Sequence, residues 1–339
     1  MLKPLLLSTI LLFSLVSTSV YAKILRVGYP GQAKEGIDYP DFQKAHDAAA
    51  TGDVIQIYQH YGSISGGNVT KKLTIIGFGY LLDKNTGLQA INTPDTNAIY
   101  LYFQAGSKGS SVQGLYISGL QIYTNDITVS RCRISYAYLY NNESPLSGLT
   151  FKGCYFDGNL QETSQVTKIS NLYIVNNIFR SGISLPNSSG FFANNISAYY
   201  YSNINLNSFL VKNNIFYDNS IAANGNIFEN NIFFFADNAT IIGTGNKFSV
   251  DMSTVFTNWN NSTIEADNQL TLKAGSPAKG AGKKNDGKVT DAGIFGGEEG
   301  DVYKLSGIPD VPAIYKLTAP SKTANTNPYT ISVGVRSNN

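Results

Sequence analysis

The chain has 339 residues, of which 42% are hydrophobic and 14% charged, and its formal net charge is +2. An average soluble domain carries roughly 25% charged residues; here 35 Asn, 32 Gly and 22 Tyr take the place of ions. Such hydrophobicity at near-zero net charge excludes intrinsic disorder, and scattered lysines at a pI near 8.3 leave no phosphate-neutralising stripe, which excludes a nucleic-acid binder.

Residues 1–22 have the pattern of a signal peptide. Lys3 supplies the positive start, residues 5–16 are almost wholly apolar, and Val20 and Ala22 are the small residues that signal peptidase requires, with cleavage before Lys23. The apolar run is too short for an ordinary membrane span, and no cysteine at the junction invites a lipid anchor. The expectation is a secreted or cell-envelope protein with no membrane span after cleavage.

The segment PDFQKAHDAAA (40–50) places Phe42, Ala45 and Ala49 at helical spacing, with an early proline and Gly52 closing the end. Residues 53–58 then alternate as a strand. A short helix before the first coil of a stack caps its open edge. His46 is expected as a helix-face residue and His60 sits in a Gly/Tyr loop, so neither is a catalytic candidate.

A repeat dominates the middle of the chain. IVNNIF (174–179), FANNIS (192–197), VKNNIF (211–216) and FENNIF (228–233) align without gaps, and VSRCRI (129–134) and FKGCYF (151–156) extend the pattern upstream. The fourth column holds Cys132, Cys154, Asn177, Asn195, Asn214 and Asn231, at spacings of 22, 23, 18, 19 and 17, with GNKF (245–248) as a degenerate further copy. Units this short suit one coil of a β-solenoid, which buries its inward side chains only by stacking on neighbours. The first and sixth columns are apolar and predict inward positions; the second holds Ser, Lys, Val, Ala, Lys and Glu and predicts an outward one. The third and fourth columns predict a tight bend, with the fourth-column side chains forming a buried structural ladder. Upstream the phase is ambiguous, because ISGLQI (117–122) fits the pattern yet lies only 12 residues before the next copy.

Cys132 and Cys154 share the ladder column on adjacent coils. Their stacking distance permits a disulfide in an oxidising compartment, but parallel Cβ vectors make poor bridge geometry, and a small buried thiol fits equally. Neither lies near a histidine in sequence, so no metal site and no catalytic thiol is expected.

The capping run 41–57, the NNIF-type coils, and GSPA (275–278) followed by DAGIFGG (291–297) resemble secreted right-handed parallel β-helix proteins of the pectate-lyase-like superfamily, over about residues 24–297. The resemblance implies an all-β, single-stranded right-handed parallel β-helix with an N-terminal capping helix. The expected organisation is a signal peptide (1–22), the β-helix (23–298), and a C-terminal strap with a terminal strand (299–339). Pro309 and Pro312 suggest an extended path in that strap.

The superfamily's polygalacturonase-type hydrolases carry Asn-Thr-Asp, Asp-Asp, His-Gly and Arg-Ile-Lys elements, none of which occurs here. If the chain is an enzyme, a polysaccharide lyase fits better, because it needs only a base beside a uronate carboxylate and often a cation to neutralise it. The catalytic candidates are Arg131 and Arg133, flanking Cys132, with Lys152 on the next coil and Asp126, Glu143 and Asp157 as partners. No cofactor is evident, and calcium is expected only for a lyase, since no clustered Asp motif appears.

Tyr136, Tyr138 and Tyr140 alternate on one face, Tyr199 and Tyr201 do likewise, and Tyr217 lies 16 residues beyond Tyr201. Their offsets from the ladder place them on the strand that precedes it. The resemblance implies that this strand's sheet forms a substrate groove, where flat aromatic faces pack on sugar rings. The expected function is binding, with or without cleavage, of a polysaccharide or cell-surface glycan. The alternative is a non-catalytic structural or adhesive surface protein whose tyrosines only stabilise the stack.

Overall fold

The computed structural model describes residues 22–28, 36–58, 65–90, 98–140, 145–163, 168–199, 203–218, 221–222, 224–237, 239–260, 264–319 and 330–338. The chain winds into a parallel β-solenoid whose coils each present three faces. The first face stacks Ile24–Val27, Val54–Ile57, Thr74–Ile76, Ser111–Gln113, Thr128–Ser130, Thr150–Lys152, Ile169–Val175, Ser188–Ala193, Phe209–Lys212, Ile227–Glu229 and Gly243–Thr244 in that order. After the bend comes the second face, with short strands such as Arg133–Ile134, Tyr155–Phe156 and Ile178–Phe179. The third face runs through Gly67–Val69, Ile99–Phe103, Ala137–Leu139, Leu160–Glu162, Ile183–Leu185, Ile204–Leu206 and Ile221–Ala222.

One strand, Tyr116–Ile122, rounds the corner unbroken: its start pairs with Arg133–Ile134 and its end with Ala137–Leu139. This resolves the phase upstream. The repeat copy there is VQGLYI (112–117), with Val112 opposite Val129 and Ile117 opposite Ile134. Leu115 therefore stands in the ladder column, and ISGLQI resembles a repeat only because it crosses a corner.

The inward columns form the core. Val129, Phe151, Ile174, Phe192, Val211 and Phe228 are fully buried, as are Ile134, Phe156, Phe179, Phe216 and Phe233. Phenylalanine rings stack along the axis, with centroids 4.6 Å apart for Phe156 and Phe179 and 5.1 Å for Phe216 and Phe233. Ser197 interrupts this column, and Phe192 bridges the gap, 5.8 Å from Phe179 and 6.3 Å from Phe216. Each buried ring contributes roughly 1.5–3 kcal/mol.

The bend explains the paired asparagines. Third-column residues Gly114, Arg131, Gly153, Asn176, Asn194, Asn213, Asn230 and Gly245 all have φ between 51° and 71°, a left-handed conformation that favours Gly and Asn. In the fourth column the Nδ2 of Asn195 donates to Asn214 Oδ1 at 3.1 Å and to the Ile174 carbonyl at 2.9 Å. The same pair of bonds recurs at Asn177, Asn214 and Asn231, which donates to Asn246. Each Oδ1 also accepts a backbone N–H from the preceding coil, beginning with Cys154. The two cysteines are free thiols that continue the column, Cys132 donating to the Ser130 carbonyl at 3.3 Å and Cys154 to that of Val129 at 3.5 Å. Burial pushes the Cys154 thiol up to about 12.

The capping helix spans Phe42–Ala48, with Asp41 accepting from the Lys44 N–H at its start and Phe42, Ala45 and His46 buried. His46 Nε2 accepts from the Thr70 N–H at 3.1 Å, so it ties the cap to the stack. The helix follows the first strand rather than preceding it, because Ile24–Val27 already pairs with Val54–Ile57.

The coils end near Lys247, which bridges to Ile232, well before residue 298. Residues 252–260 and 264–303 instead fold back over the outside of the second face. Fifth-column Tyr155, Ile178, Ile196, Ile215 and Ile232 point away from the coil interior into a second apolar cluster with Met252, Phe256, Leu270 and Ile294. Second-column Val175, Ala193 and Lys212, outward on their strand, are buried as well. From there the chain runs back along the bend toward the N-terminal coils. Asn213 donates to Lys283 O, Asn194 to Asp291 O and Gly293 O, and Asn176 to Ile294 O and Gly296 O. A buried polar cluster fastens its far end: Asp267 accepts from Asn85 at 2.7 Å, from Tyr303 at 3.0 Å and from the Ser306 N–H at 2.7 Å. Ala313–Thr318 and Ser332–Arg336 close the chain as an antiparallel hairpin.

Candidate functional site

The third face is a broad surface that the described C-terminal residues leave open, as they do in part the outward positions of the first face at Thr128, Thr150, Tyr173 and Phe191. Strand alternation there points Leu101, Leu120, Ala137, Leu160 and Ile183 inward, where they are buried, and turns their neighbours outward. One outward row, read coil by coil, is Asn68, Tyr102, Gln121, Tyr138, Gln161, Ser184, Asn205 and Ala222. A second is Tyr100, Gly119, Tyr136, Asn159, Gly182 and Asn203. A third contains Tyr123, Tyr140 and Thr163. No Asp, Glu, Lys or Arg occupies any of these positions, on a surface where charge is ordinarily most abundant.

Glycines shape the aromatic part. A Cβ on Gly119 would lie 2.7 Å from Tyr100 Cδ1, and one on Gly158 would lie 3.1 Å from Tyr136 Cε1. Each side chain therefore packs against a glycine of a following coil and stays about half exposed, 52% for Tyr100 and 51% for Tyr136. Tyr123 and Tyr140 stack with centroids 4.5 Å apart, and Tyr138 tilts against Tyr140 at 6.3 Å. Farther along, Asn159, Gln161, Ser181, Ser184, Tyr199 and Asn203 line an open trough of about 310 Å³. Asn159 Oδ1 accepts from Ser181 Oγ at 2.6 Å and from the Gly182 N–H at 3.1 Å, which fixes its amide in the trough wall.

The expected tyrosines divide. Tyr136, Tyr138, Tyr140 and Tyr199 belong to this surface. Tyr217 is buried elsewhere, edge-on to Trp259 at 4.6 Å beneath the C-terminal segment. Tyr201, Glu143 and His60 lie outside the described residues. Tyr100, Tyr102 and Tyr123, which sequence reasoning missed, complete the platform. For Tyr100 and Tyr102 the signal is the alternation of IYLYF (99–103), hidden because no anchor residue phases that coil.

The three basic candidates do not converge. Arg131 sits in the left-handed bend with its side chain buried, donating to the Ile308 carbonyl at 2.9 Å and pairing with Asp310 at 2.5 Å. Lys152 pairs with Asp301 at 3.2 Å, which also accepts from the Tyr173 hydroxyl. Both therefore hold the C-terminal segment. Arg133 donates to Asp157 at 2.5 Å, and Arg180 donates to the same carboxylate at 3.1 Å. Their guanidinium groups lie over the Tyr116 and Tyr155 rings, 4.7 and 5.9 Å from the centroids, at the corner between the second and third faces. Of the three, only Arg133 lies beside the open surface, and its charge is shared with Asp157. Asp126 pairs with Lys108 instead.

Burial raises Asp267 and Asp218, and raises Glu162 despite bonds from Ser188 and the Asn187 N–H. Among the described residues no cluster of His, Cys, Asp and Glu is arranged to hold a metal ion, and no helix is long and apolar enough to cross a membrane. What the third face offers chemically is flat aromatic surface with neutral donors and acceptors. Neither a model of a known protein family nor a curated protein matches the chain.

Proposed function

We propose that this is an exported β-helix protein of the pectate-lyase-like kind that binds polysaccharide along its third face. One observation carries the reading: an uninterrupted, uncharged band of tyrosines, amides and small residues runs along the solenoid axis. Tyrosine faces pack on the apolar faces of sugar rings, and Asn and Gln side chains serve both as donors and as acceptors for hydroxyl groups. Binding is favoured over cleavage, because the described outward residues of this band include no carboxylate, histidine or lysine to move a proton.

Export is supported by the signal-like pattern of residues 1–22 and by the surroundings of Lys23. The Lys23 backbone nitrogen lies 2.8 Å from Asp53 Oδ1, so cleavage before Lys23 would set a new α-ammonium group against a carboxylate.

The test is retention of the purified exported protein on immobilised polysaccharides, with absorbance monitoring for unsaturated products. Retention without product formation is the expected result. Absence of both across a broad panel would leave the structural or adhesive alternative.

A further inference from the structure

We infer that the third face takes a neutral glycan, laid along the solenoid axis with sugar rings resting on Tyr100 and Tyr136; the inference builds on polysaccharide binding as proposed above. A half-exposed tyrosine ring offers apolar surface that packs against a pyranose ring. Tyr100 and Tyr136 pack close to the sheet, against Gly119 and Gly158, where a Cβ would lie 2.7 Å from Tyr100 Cδ1 and 3.1 Å from Tyr136 Cε1. Both belong to one outward row, two coils apart, which at about 4.8 Å per coil spans roughly 10 Å. That separation is commensurate with a disaccharide and directs the chain along the axis. Between and beyond the rings the row offers Asn159 and Asn203, with Gln121 and Gln161 beside it, all able to pair with hydroxyl groups.

Charge selects the class of sugar. A uronate brings a carboxylate each time the acidic residue recurs, and a carboxylate removed from water needs a cation or several donors. The three outward rows hold no cation. Around the corner, Arg133 and Arg180 share the Asp157 carboxylate and lie over the Tyr116 and Tyr155 rings. Neutral hydroxyls find both donors and acceptors on this face, whereas a carboxylate finds no cation among its described outward residues.

The experiment measures binding of the full exported protein to immobilised polysaccharides by biolayer interferometry. One arm uses neutral chains, a β-glucan, a xylan and a galactomannan; the other uses polygalacturonate and alginate. The expected result is binding in the neutral arm, insensitive to salt, and none in the acidic arm. Tyr100→Ala with Tyr136→Ala should weaken it by roughly tenfold or more. Gly119→Ala, which only lifts the Tyr100 ring, should weaken it less, with thermal unfolding unchanged. Binding to polygalacturonate or alginate that is lost in the double variant would overturn the neutral class while leaving polysaccharide binding intact. Neutral binding unaffected by the double variant would overturn the placement. Silence in both arms would remove the underlying reading as well.

Discussion

The two asparagines of each NN bend have different work to do. The third accepts a left-handed backbone and, at Asn176, Asn194 and Asn213, reaches out to the returning chain, while the fourth turns inward and passes hydrogen bonds from coil to coil. Replacing the fourth strands buried partners: Asn195→Ala leaves the Ile174 carbonyl and the Asn177 donors unpaired, at a cost of about 2–3 kcal/mol. Urea unfolding at neutral pH measures that loss. Asp218 works in the other direction. Burial holds its carboxyl well above the ordinary carboxylate range, with the Ser197 hydroxyl only partly offsetting this. An acid whose pKa is raised by folding leaves stability intact below its unfolded pKa of about 3.9, and stability falls as pH rises toward the folded value. Asp218→Asn should therefore be more stable than the parent at pH 7, with the advantage shrinking toward pH 4, as thermal melts across that range would register.

At the level of elements, what repeats is legible in the sequence and what varies is not. The inward columns, the bend and the capping helix can be read because spacing and residue type recur. The fifth column carries a subtler signal: Ile178, Ile196, Ile215 and Ile232 are outward yet apolar, which implies a covering layer. Residues 252–260 and 264–303 supply it, but their sequence has no period to reveal where they pack. Arg131 is a candidate for chemistry in the sequence because it is a rare arginine beside the ladder. In the fold its left-handed bend aims it at the returning chain instead. Arg131→Ala should release that segment, costing about 1–3 kcal/mol and exposing residues 301–312 to limited proteolysis. Arg131→Gly loses the same anchor but relieves the left-handed backbone, so it should destabilise less than alanine by about 1 kcal/mol.

For the whole molecule, the scarcity of charge and the location of function are linked. The solenoid satisfies its buried polar groups through amide ladders. Of the charges it keeps, Arg131, Lys152 and Asp267 clamp the C-terminal segment, and Arg133 and Arg180 share the Asp157 carboxylate at a corner. The returning chain covers the second face and the bend. The third face, left open, is furnished at its described outward positions with rings, amides and small uncharged residues. The most direct test is hydroxyl-radical footprinting of tyrosines with and without a bound polysaccharide. Protection at Tyr100, Tyr136, Tyr138 and Tyr199, with Tyr173 and Tyr315 unchanged, is the predicted result. Protection confined to Tyr173 or Tyr315, with the third-face tyrosines oxidised as before, would contradict it.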